Sequence, residues 1–477
     1  MTNDLLPRLR DLLGPTGVLT DTADMAPYAF DWRGIETSHP AAVLRPSTTA
    51  AVAAVVGLCA EAGVPLIPQG GNTGLVGGTV APAGQGALLL NLGRLNRIRD
   101  LDPLDHTVTA EAGCVLADLQ AAAAAADRLF PLSLGAEGTC TLGGNLATNA
   151  GGILTICYGN ARDLVLGLEV VLPDGRVWNG LRRLRKDNTG YDLKHLFLGA
   201  EGTLGIITAA TCKLFPRPRV TETVFAAVPD PAAAVSLLAA LRTGTGDALT
   251  AFELIPRFAI DGAAALLDDP FDPLSAPAPW YVLAEVAGGL PGPALREATE
   301  RALAAALESG LVGDAVFAAT EEQRRRLWRI RENLPEIGRK VGGVVHHDVA
   351  VPVSRVPDLI AQAGTALAAR WPGIRPYPFG HVGDGNIHYN VARPAGLDGP
   401  SFLAEAGAVT RIVHDIVTGL GGSISAEHGI GGRKRAELAR VKDPVELDLF
   451  ARIKALLDPR SIMNPGKVLP DAAPPAD

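Results

Sequence analysis

Three glycine-dense runs in the first half constrain this chain more than any other feature. The first is Pro68-Gln69-Gly70-Gly71-Asn72-Thr73-Gly74-Leu75-Val76-Gly77-Gly78. The second joins Leu132-Ser133-Leu134-Gly135 to the stretch from Thr139 to Gly152, and the third runs from Leu198 to Ile207. Glycine is 54 of 477 residues, about 11% against a usual ~7%. No G-X-Y period is present, and 47% hydrophobic with 20% charged residues is a globular balance. The glycines therefore belong to folded structure, where they mark backbone at positive φ or in close approach to something. Successive backbone N–H groups without side-chain bulk form a nest for anionic oxygens, and a dinucleotide pyrophosphate is its natural guest. The first run carries neither the G-x-G-x-x-G nor the G-x-x-x-x-G-K-[ST] spacing, which argues against a nicotinamide fold and a P-loop. Three runs rich in Thr, Ser and Asn but poor in charge suit a large ligand held mainly through backbone.

The net charge of −8 argues against a general nucleic-acid or anionic-membrane binder. The basic runs Arg182–Lys186, Arg324–Arg326 and Arg433–Arg435 are short and read as solvated faces. No apolar stretch reaches the roughly 18 residues of a membrane helix. The opening Met1-Thr2-Asn3-Asp4 has no positive n-region and does not read as a secretory signal. Five cysteines, an odd number without C-x-x-C, point to a reducing, cytoplasmic setting, with the thiols acting as small buried hydrophobes.

Short apolar strands are expected at Val64–Pro68, Ala87–Leu92, Thr107–Ala110 and Leu164–Leu172, with an alanine-rich helix over Leu116–Leu129. Asp174-Gly175 signals a hairpin. Phe215-Pro216-Arg217-Pro218 punctuates the chain, and the rhythm then changes to strands alternating with helices. Strands are expected at Thr223–Val228, Ala251–Ile255, Tyr281–Val286 and Val344–Val351. Helices are expected at Pro231–Leu241, Pro293–Ser309, Glu321–Lys340 and Val445–Leu457. This pattern predicts three parts: residues 1–217, an α/β-layered domain over 218–422, and a C-terminal segment over 423–477.

Six of the nine histidines fall at or beyond His346. In Gly380-His381-Val382-Gly383-Asp384-Gly385-Asn386-Ile387-His388-Tyr389-Asn390, the Gly-Asp-Gly-Asn turn lies between two apolar runs. A hairpin closed there sets His381 opposite His388, with Asn390 on the same face. Ser425-Ala426-Glu427-His428-Gly429-Ile430-Gly431 adds a carboxylate beside an imidazole. Two histidines and a carboxylate are a common catalytic zinc set, and iron or manganese fits the same donors. Hydrogen-bonded structural histidines are the alternative that spacing leaves open.

From about residue 36 to 216, the three glycine runs in order resemble the FAD-binding domain of the vanillyl-alcohol oxidase and p-cresol methylhydroxylase superfamily. The resemblance implies an α+β fold in which FAD lies between two subdomains. By motif position, Pro68, Gln69, Gly70, Gly71, Asn72, Thr73, Gly74 and Leu75 would line the pyrophosphate. Ser133, Leu134, Gly135, Thr139, Gly143, Gly144, Asn145, Thr148 and Gly152 would line the ribityl chain and isoalloxazine. Glu201, Gly202 and Ile207 would hold the adenosine side, and Asn464 would join the cofactor site. Some members attach FAD through a histidine in the first loop; this loop has Asn72 and no histidine, so the FAD is expected to be non-covalent.

The segments G-H-x-G-D-G-N-I-H and S-A-E-H-G-I-G, followed by Asn464-Pro465-Gly466-Lys467, resemble the FAD-dependent D-2-hydroxyacid dehydrogenases over about residues 30 to 470. The resemblance implies His381, His388 and Glu427 as ligands of a divalent metal, with zinc the expected ion. It implies His428 as the catalytic base and as a substrate contact, and Asn390 and Arg331 as further substrate contacts. D-2-hydroxyglutarate is the leading substrate; D-lactate or glycolate is the alternative, and a non-catalytic flavoprotein subunit a more distant one. The hydroxyglutarate pattern has threonine where this chain has Pro335 and lysine where it has His346, a residue that would then meet the substrate. The family further implies an electron-transfer flavoprotein or a quinone as electron acceptor, and a homodimer.

Overall fold

The protein, described here as a computed structural model over residues 4–289 and 293–470, forms two compact units. Apart from Asp4, the N-terminal tetrapeptide lies outside the described residues. The first unit comprises Met1–Gly151, Asn160–Arg217 and Glu427–Asp477; the second comprises Gly152–Gly159 and Pro218–Ala426. Two of these limits differ from the sequence reading. Gly152–Gly159 belongs to the second unit because its Ile153 and Ile156 pack on that unit's core. Residues 423–426 stay there too: Ser423 N donates to Ala350 O at 2.7 Å and Ala426 N to Asp348 O at 3.3 Å.

In the first unit, β1 (Val18–Leu19), β2 (Ala42–Leu44), β3 (Leu66–Gln69) and β4 (Leu88–Asn91) form a sheet in the order β1-β2-β4-β3. The last three run parallel. Their unbroken apolar residues fit strands buried on both faces. The crossover helix Thr49–Ala62 starts where Thr48 Oγ1 accepts from Ala51 N at 3.1 Å, and it ends at Gly63 in the left-handed region. Residues beyond the C-terminal helix Pro444–Leu457 complete this sheet, where Met463 bridges Leu66 in parallel and is fully buried.

The same unit continues with β5 (Ile98–Asp102), β6 (Thr107–Glu111), β7 (Arg128–Leu129), β8 (Val165–Val171), β9 (Val177–Gly180), β10 (Ile206–Lys213) and β11 (Phe215–Pro216). Five of them form an antiparallel sheet in the order β5-β6-β10-β8-β9, and β7 pairs with β11. The expected hairpin at Asp174-Gly175 sets Val171 opposite Val177. The helix expected over Leu116–Leu129 stops at Ala125, because Asp127 turns to φ 57° and the next two residues become β7. Glu111 and Glu169 stand buried on this sheet, bonded to Arg97 and Arg99.

In the second unit, β12 (Val220–Val228), β13 (Leu249–Pro256), β14 (Trp280–Gly288) and β15 (Asp314–Phe317) form an antiparallel sheet in the order β13-β14-β12-β15. Alternation along β13 and β14 divides two cores. Phe252, Leu254, Val282 and Ala284 meet the helices Pro231–Gly244 and Ala294–Glu308. Ala251, Ile255 and Leu283 meet Leu327 and Ile330 of the helix Glu321–Glu332.

A second sheet centres on β19 (Asn386–Ala392), paired with β16 (Val344–Val345), β17 (Asp348–Ala350) and β18 (Arg375–Phe379). The strand expected over Val344–Val351 thus splits around His346-His347. The helix expected over Glu321–Lys340 also splits, into Glu321–Glu332 and Leu334–Val341. Pro335 lacks an N–H and disfavours helical geometry before it, so it sits in the first turn of a new helix. The whole is an α+β fold with an antiparallel, helix-layered second unit.

Candidate flavin cradle and histidine cluster

The three glycine runs converge within the first unit. A Cβ on Gly71 would lie 2.0 Å from Thr139 O, and one on Gly70 would lie 2.4 Å from Thr141 Oγ1, so the first run tolerates no side chains against the second. Gly202 leaves the same kind of room for Pro68. The third run is tied to the second by Gly199 N to Leu146 O at 3.0 Å and Glu201 N to Ala147 O at 2.8 Å. Several glycines expected to close on a ligand therefore close first on residues of the neighbouring runs. Gly74 and Gly135 face open space, and Gly143 packs against Ala112.

Polar side chains of the cradle are largely engaged inside the protein. Gln69 Nε2 donates to Tyr28 O at 2.9 Å, and Asn72 Nδ2 to Phe30 O at 2.9 Å. Thr148 Oγ1 donates to Gly144 O at 3.0 Å. Asn145 lies buried beside Cys140, with Nδ2 3.5 Å from its Sγ. Ile207 is buried within β10. Ser133, Leu134 and Thr139 lie in the loop before the helix Leu142–Ala147; Leu134 N donates to Glu137 Oε1 at 3.2 Å. Thr73 and Leu75 are half-buried in the first loop. Gly152, expected with these residues, belongs to the second unit, where its N donates to Thr155 Oγ1 at 3.1 Å.

Glu201 takes φ 51° and turns its carboxylate onto the C-terminal segment, accepting from Ile430 N at 2.7 Å and Gly431 N at 2.8 Å. Burial pushes this carboxyl up, against the pull of those two amides. Asn464 Nδ2 donates to Glu201 O at 2.8 Å and Gly78 O at 3.1 Å. Arg433 binds Asp31, Glu36 at 2.7 Å and Leu75 O at 2.9 Å. Its run is therefore no solvated face, and neither is that of Arg324, which binds the buried Glu285. Glu427 and His428 open the third segment of this unit, and a Cβ on Gly151 would lie 2.7 Å from Glu427 Oε1. The glutamate thus stands at the end of the second glycine run. Four cysteines are buried as expected, but Cys157 is exposed.

In the second unit the expected hairpin is present with another register. His388 lies opposite Phe379, not His381, and Asn390 opposite Tyr377. The chain leaves β18 at Gly380, whose φ of 138° a side chain would resist, and bridges to β13. Leu254 N donates to Gly380 O at 2.9 Å, and Gly380 N to Leu254 O at 3.1 Å. His381 therefore sits on the connecting loop beside Glu253. The two imidazoles still meet, with ring centroids 5.5 Å apart at 75°. His388 Nδ1 is 3.8 Å from Asp348 Oδ1, and Asn386 Nδ2 donates to that oxygen at 3.0 Å. Asp384 is raised to about 6 by burial, against the pull of His381.

Glu253 is fully buried. Its Oε2 accepts from Arg331 Nε at 2.6 Å, and its Oε1 bonds His381 Nδ1 at 2.5 Å. Burial would raise this carboxyl, but His381 and Arg331 hold it at about 2. Arg331 lies over the Phe379 ring at 4.6 Å. Three turns of the helix Glu321–Glu332 thus carry Arg324, Trp328 and Arg331 onto two buried glutamates, since Trp328 Nε1 donates to Glu285 Oε1 at 2.7 Å. Asn390 is buried, whereas His346 is exposed.

Sequence reasoning missed Glu253, Glu285 and Asp348. The available signal was a single carboxylate inside an otherwise apolar strand, which folds only if paired. Thr141 was missed too; its buried Oγ1 has no hydrogen-bond partner among the described residues. That orphaned polar atom beside Gly70 and Gly144 fits a polar guest such as FAD. Two imidazoles at 5.5 Å, with carboxylates beside them, fit a divalent cation.

Residues 40–180 match a family described as "FAD binding domain", and residues 217–468 one described as "FAD linked oxidases, C-terminal domain". The chain belongs to the FAD-linked oxidase family. It is therefore an FAD-binding oxidoreductase. Similar relatives include the "Probable D-2-hydroxyglutarate dehydrogenase, mitochondrial" of Oryza sativa subsp. japonica, 37% identical over 99% of this chain and 83% of the relative. The "D-2-hydroxyglutarate dehydrogenase, mitochondrial" of Bos taurus is 39% identical over 96% and 82%. The "D-2-hydroxyglutarate dehydrogenase" of Xanthomonas citri pv. viticola is 36% identical over 98% and 97%. The fold matches p-cresol methylhydroxylase with a TM-score of 0.77 at 20% identity, over 98% of this chain and 96% of that one. Among the described residues, no helix is long and apolar enough to cross a membrane.

Proposed function

We propose that this FAD-linked oxidase is a metal-dependent dehydrogenase that oxidises a D-2-hydroxy acid to a 2-oxo acid, with D-2-hydroxyglutarate as the leading substrate. The observation that carries this reading is the second-unit cluster, where a buried arginine and two facing histidines are held by the side chains around β13 and β19. Its similarity to relatives named for that activity supports the substrate class.

His381 and His388, with Glu427 from the next chain segment, would hold the metal, with zinc as the proposed ion. When bound, a divalent metal supplies a Lewis acid that lowers the pKa of the α-hydroxyl. When bound, FAD supplies the non-covalent hydride acceptor, at N5. His428 would accept the hydroxyl proton, the general-base role that imidazole most often fills. Asn390 orients the substrate, and the guanidinium of Arg331 takes the distal carboxylate. The α C–H leaves as hydride and the O–H as a proton, so the 2-hydroxy acid becomes a 2-oxo acid. An electron-transfer flavoprotein or a quinone is the proposed reoxidant.

A second reading, a dehydrogenase for D-lactate or glycolate, is favoured by two observations. Pro335 stands where the hydroxyglutarate pattern has threonine, and the exposed His346 stands where it has lysine. Anaerobic flavin bleaching decides between them. Bleaching by D-2-hydroxyglutarate at lower concentration than by D-lactate is expected; bleaching by D-lactate alone replaces the first reading with the second. A metal-replete protein that bleaches with neither overturns both.

A further inference from the structure

We propose that Glu253 is the positioning residue that sets substrate length, because one buried carboxylate aligns both His381 and Arg331. The inference rests on the roles given to those two residues above.

Glu253 lies in β13 between Phe252 and Leu254, and its side chain is wholly removed from solvent. A lone carboxylate there would cost several kcal/mol, so it persists only with partners on both oxygens. Those partners come from two separate elements. Oε2 takes Arg331 from the helix Glu321–Glu332, and Oε1 takes His381 from the loop after β18. Both contacts are short, and among the described residues each oxygen serves one partner.

An ionised carboxylate has no proton to donate, so His381 donates through Nδ1–H. In the neutral form of the ring, the lone pair is then on Nε2. This is the usual way in which a protein presents a histidine to a metal, and it fixes ring orientation as well as tautomer. On the other side, the bond to Arg331 uses Nε–H, on the flank of the guanidinium. Among the described residues the Nη1 and Nη2 edge has no hydrogen bond, which leaves it for a planar two-pronged contact with a carboxylate. Phe379 beneath the guanidinium at 4.6 Å fixes the plane of that edge.

The end of a substrate that would meet a metal on His381 and the end that meets Arg331 are therefore gauged from the same side chain. A 2-hydroxy acid with a distal carboxylate uses both arms of the gauge. A monocarboxylic acid uses one. A residue serving only to stabilise the sheet would not link metal affinity to the choice between these acids.

The test uses the FAD-loaded protein stripped with EDTA and titrated with Zn2+, then assayed with D-2-hydroxyglutarate and D-lactate. Glu253→Gln is expected to weaken Zn2+ binding roughly ten- to a hundredfold. It is also expected to lower the ratio of kcat/KM for D-2-hydroxyglutarate over D-lactate. Glu253→Asp keeps the buried charge and decides the matter if the first variant fails to fold; both losses are expected in smaller measure. Zn2+ affinity within twofold of the parent, together with an unchanged substrate ratio, overturns the proposal. If the parent protein is reduced by no D-2-hydroxy acid, the functional reading fails, and the Zn2+ titration alone decides the role of Glu253.

Discussion

A carboxylate buried in a sheet is tolerable only while its partners remain, and two glutamates of the second unit show how unequal charge pairs are. Glu285 accepts from Thr223, Arg324 and Trp328, and only about 3% of it is exposed. Glu285→Ala strands these donors and is expected to lower unfolding free energy by about 3 kcal/mol, read from the denaturant midpoint. Glu61→Ala removes the exposed pair with Arg8 and is expected to change it by less than about 0.5 kcal/mol. The same contrast bears on binding. Arg331→Lys keeps a charge but loses the planar fork. It is expected to lower kcat/KM for D-2-hydroxyglutarate roughly tenfold or more, about 1.4 kcal/mol, while D-lactate kinetics change little. Equal losses on both acids would remove Arg331 from the distal carboxylate. These partnerships were hard to foresee: Arg331 was legible through its motif, but Glu253 and Glu285 come from strands far away in sequence.

On the antiparallel sheet of the first unit, Glu111 bonds Arg97 and Arg99, and Glu169 bonds Arg99, Thr49 and Thr208. Burial raises both carboxyls, but these bonds win and leave them below their ordinary 4.5. A carboxyl depressed in the folded state contributes stability that is present above its unfolded pKa and lost as pH falls through the folded value. The first unit is therefore expected to lose stability below about pH 4.5, followed by flavin release or circular dichroism, and Glu169→Gln should flatten that acid limb. An acid limb identical in the variant would assign the loss to other groups. Element positions were the most legible part of the sequence. Apolar runs, Asp174-Gly175 and the proline cluster after Phe215 marked strands, a hairpin and a break with local chemistry. What failed was register and continuity: Gly380 diverts the chain to β13, Pro335 restarts a helix, and Asp127 ends one early. Each depends on a partner strand or a backbone angle that residue pattern does not carry.

For the molecule as a whole, the glycine runs announced a large ligand but not that the runs would pack on each other through Gly70, Gly71 and Gly202. Close packing of that kind is decided by neighbours remote in sequence. If FAD is held without a covalent bond, acid precipitation leaves a colourless pellet and a yellow supernatant; a yellow pellet shows a covalent link. If a metal serves the reaction, EDTA treatment abolishes flavin bleaching while leaving the bound-flavin spectrum intact, and Zn2+ or Mn2+ restores it. Bleaching that survives complete metal removal assigns the two histidines to another role. The interleaving of the chain also orders its birth on the ribosome. A nascent chain synthesised to Ala426 already holds every residue of the second unit, whereas the first still lacks Met463, which pairs with Leu66, and the amides of Ile430 and Gly431 that occupy Glu201. The second unit can thus mature while synthesis continues, and the flavin-binding unit, though begun first, is finished last.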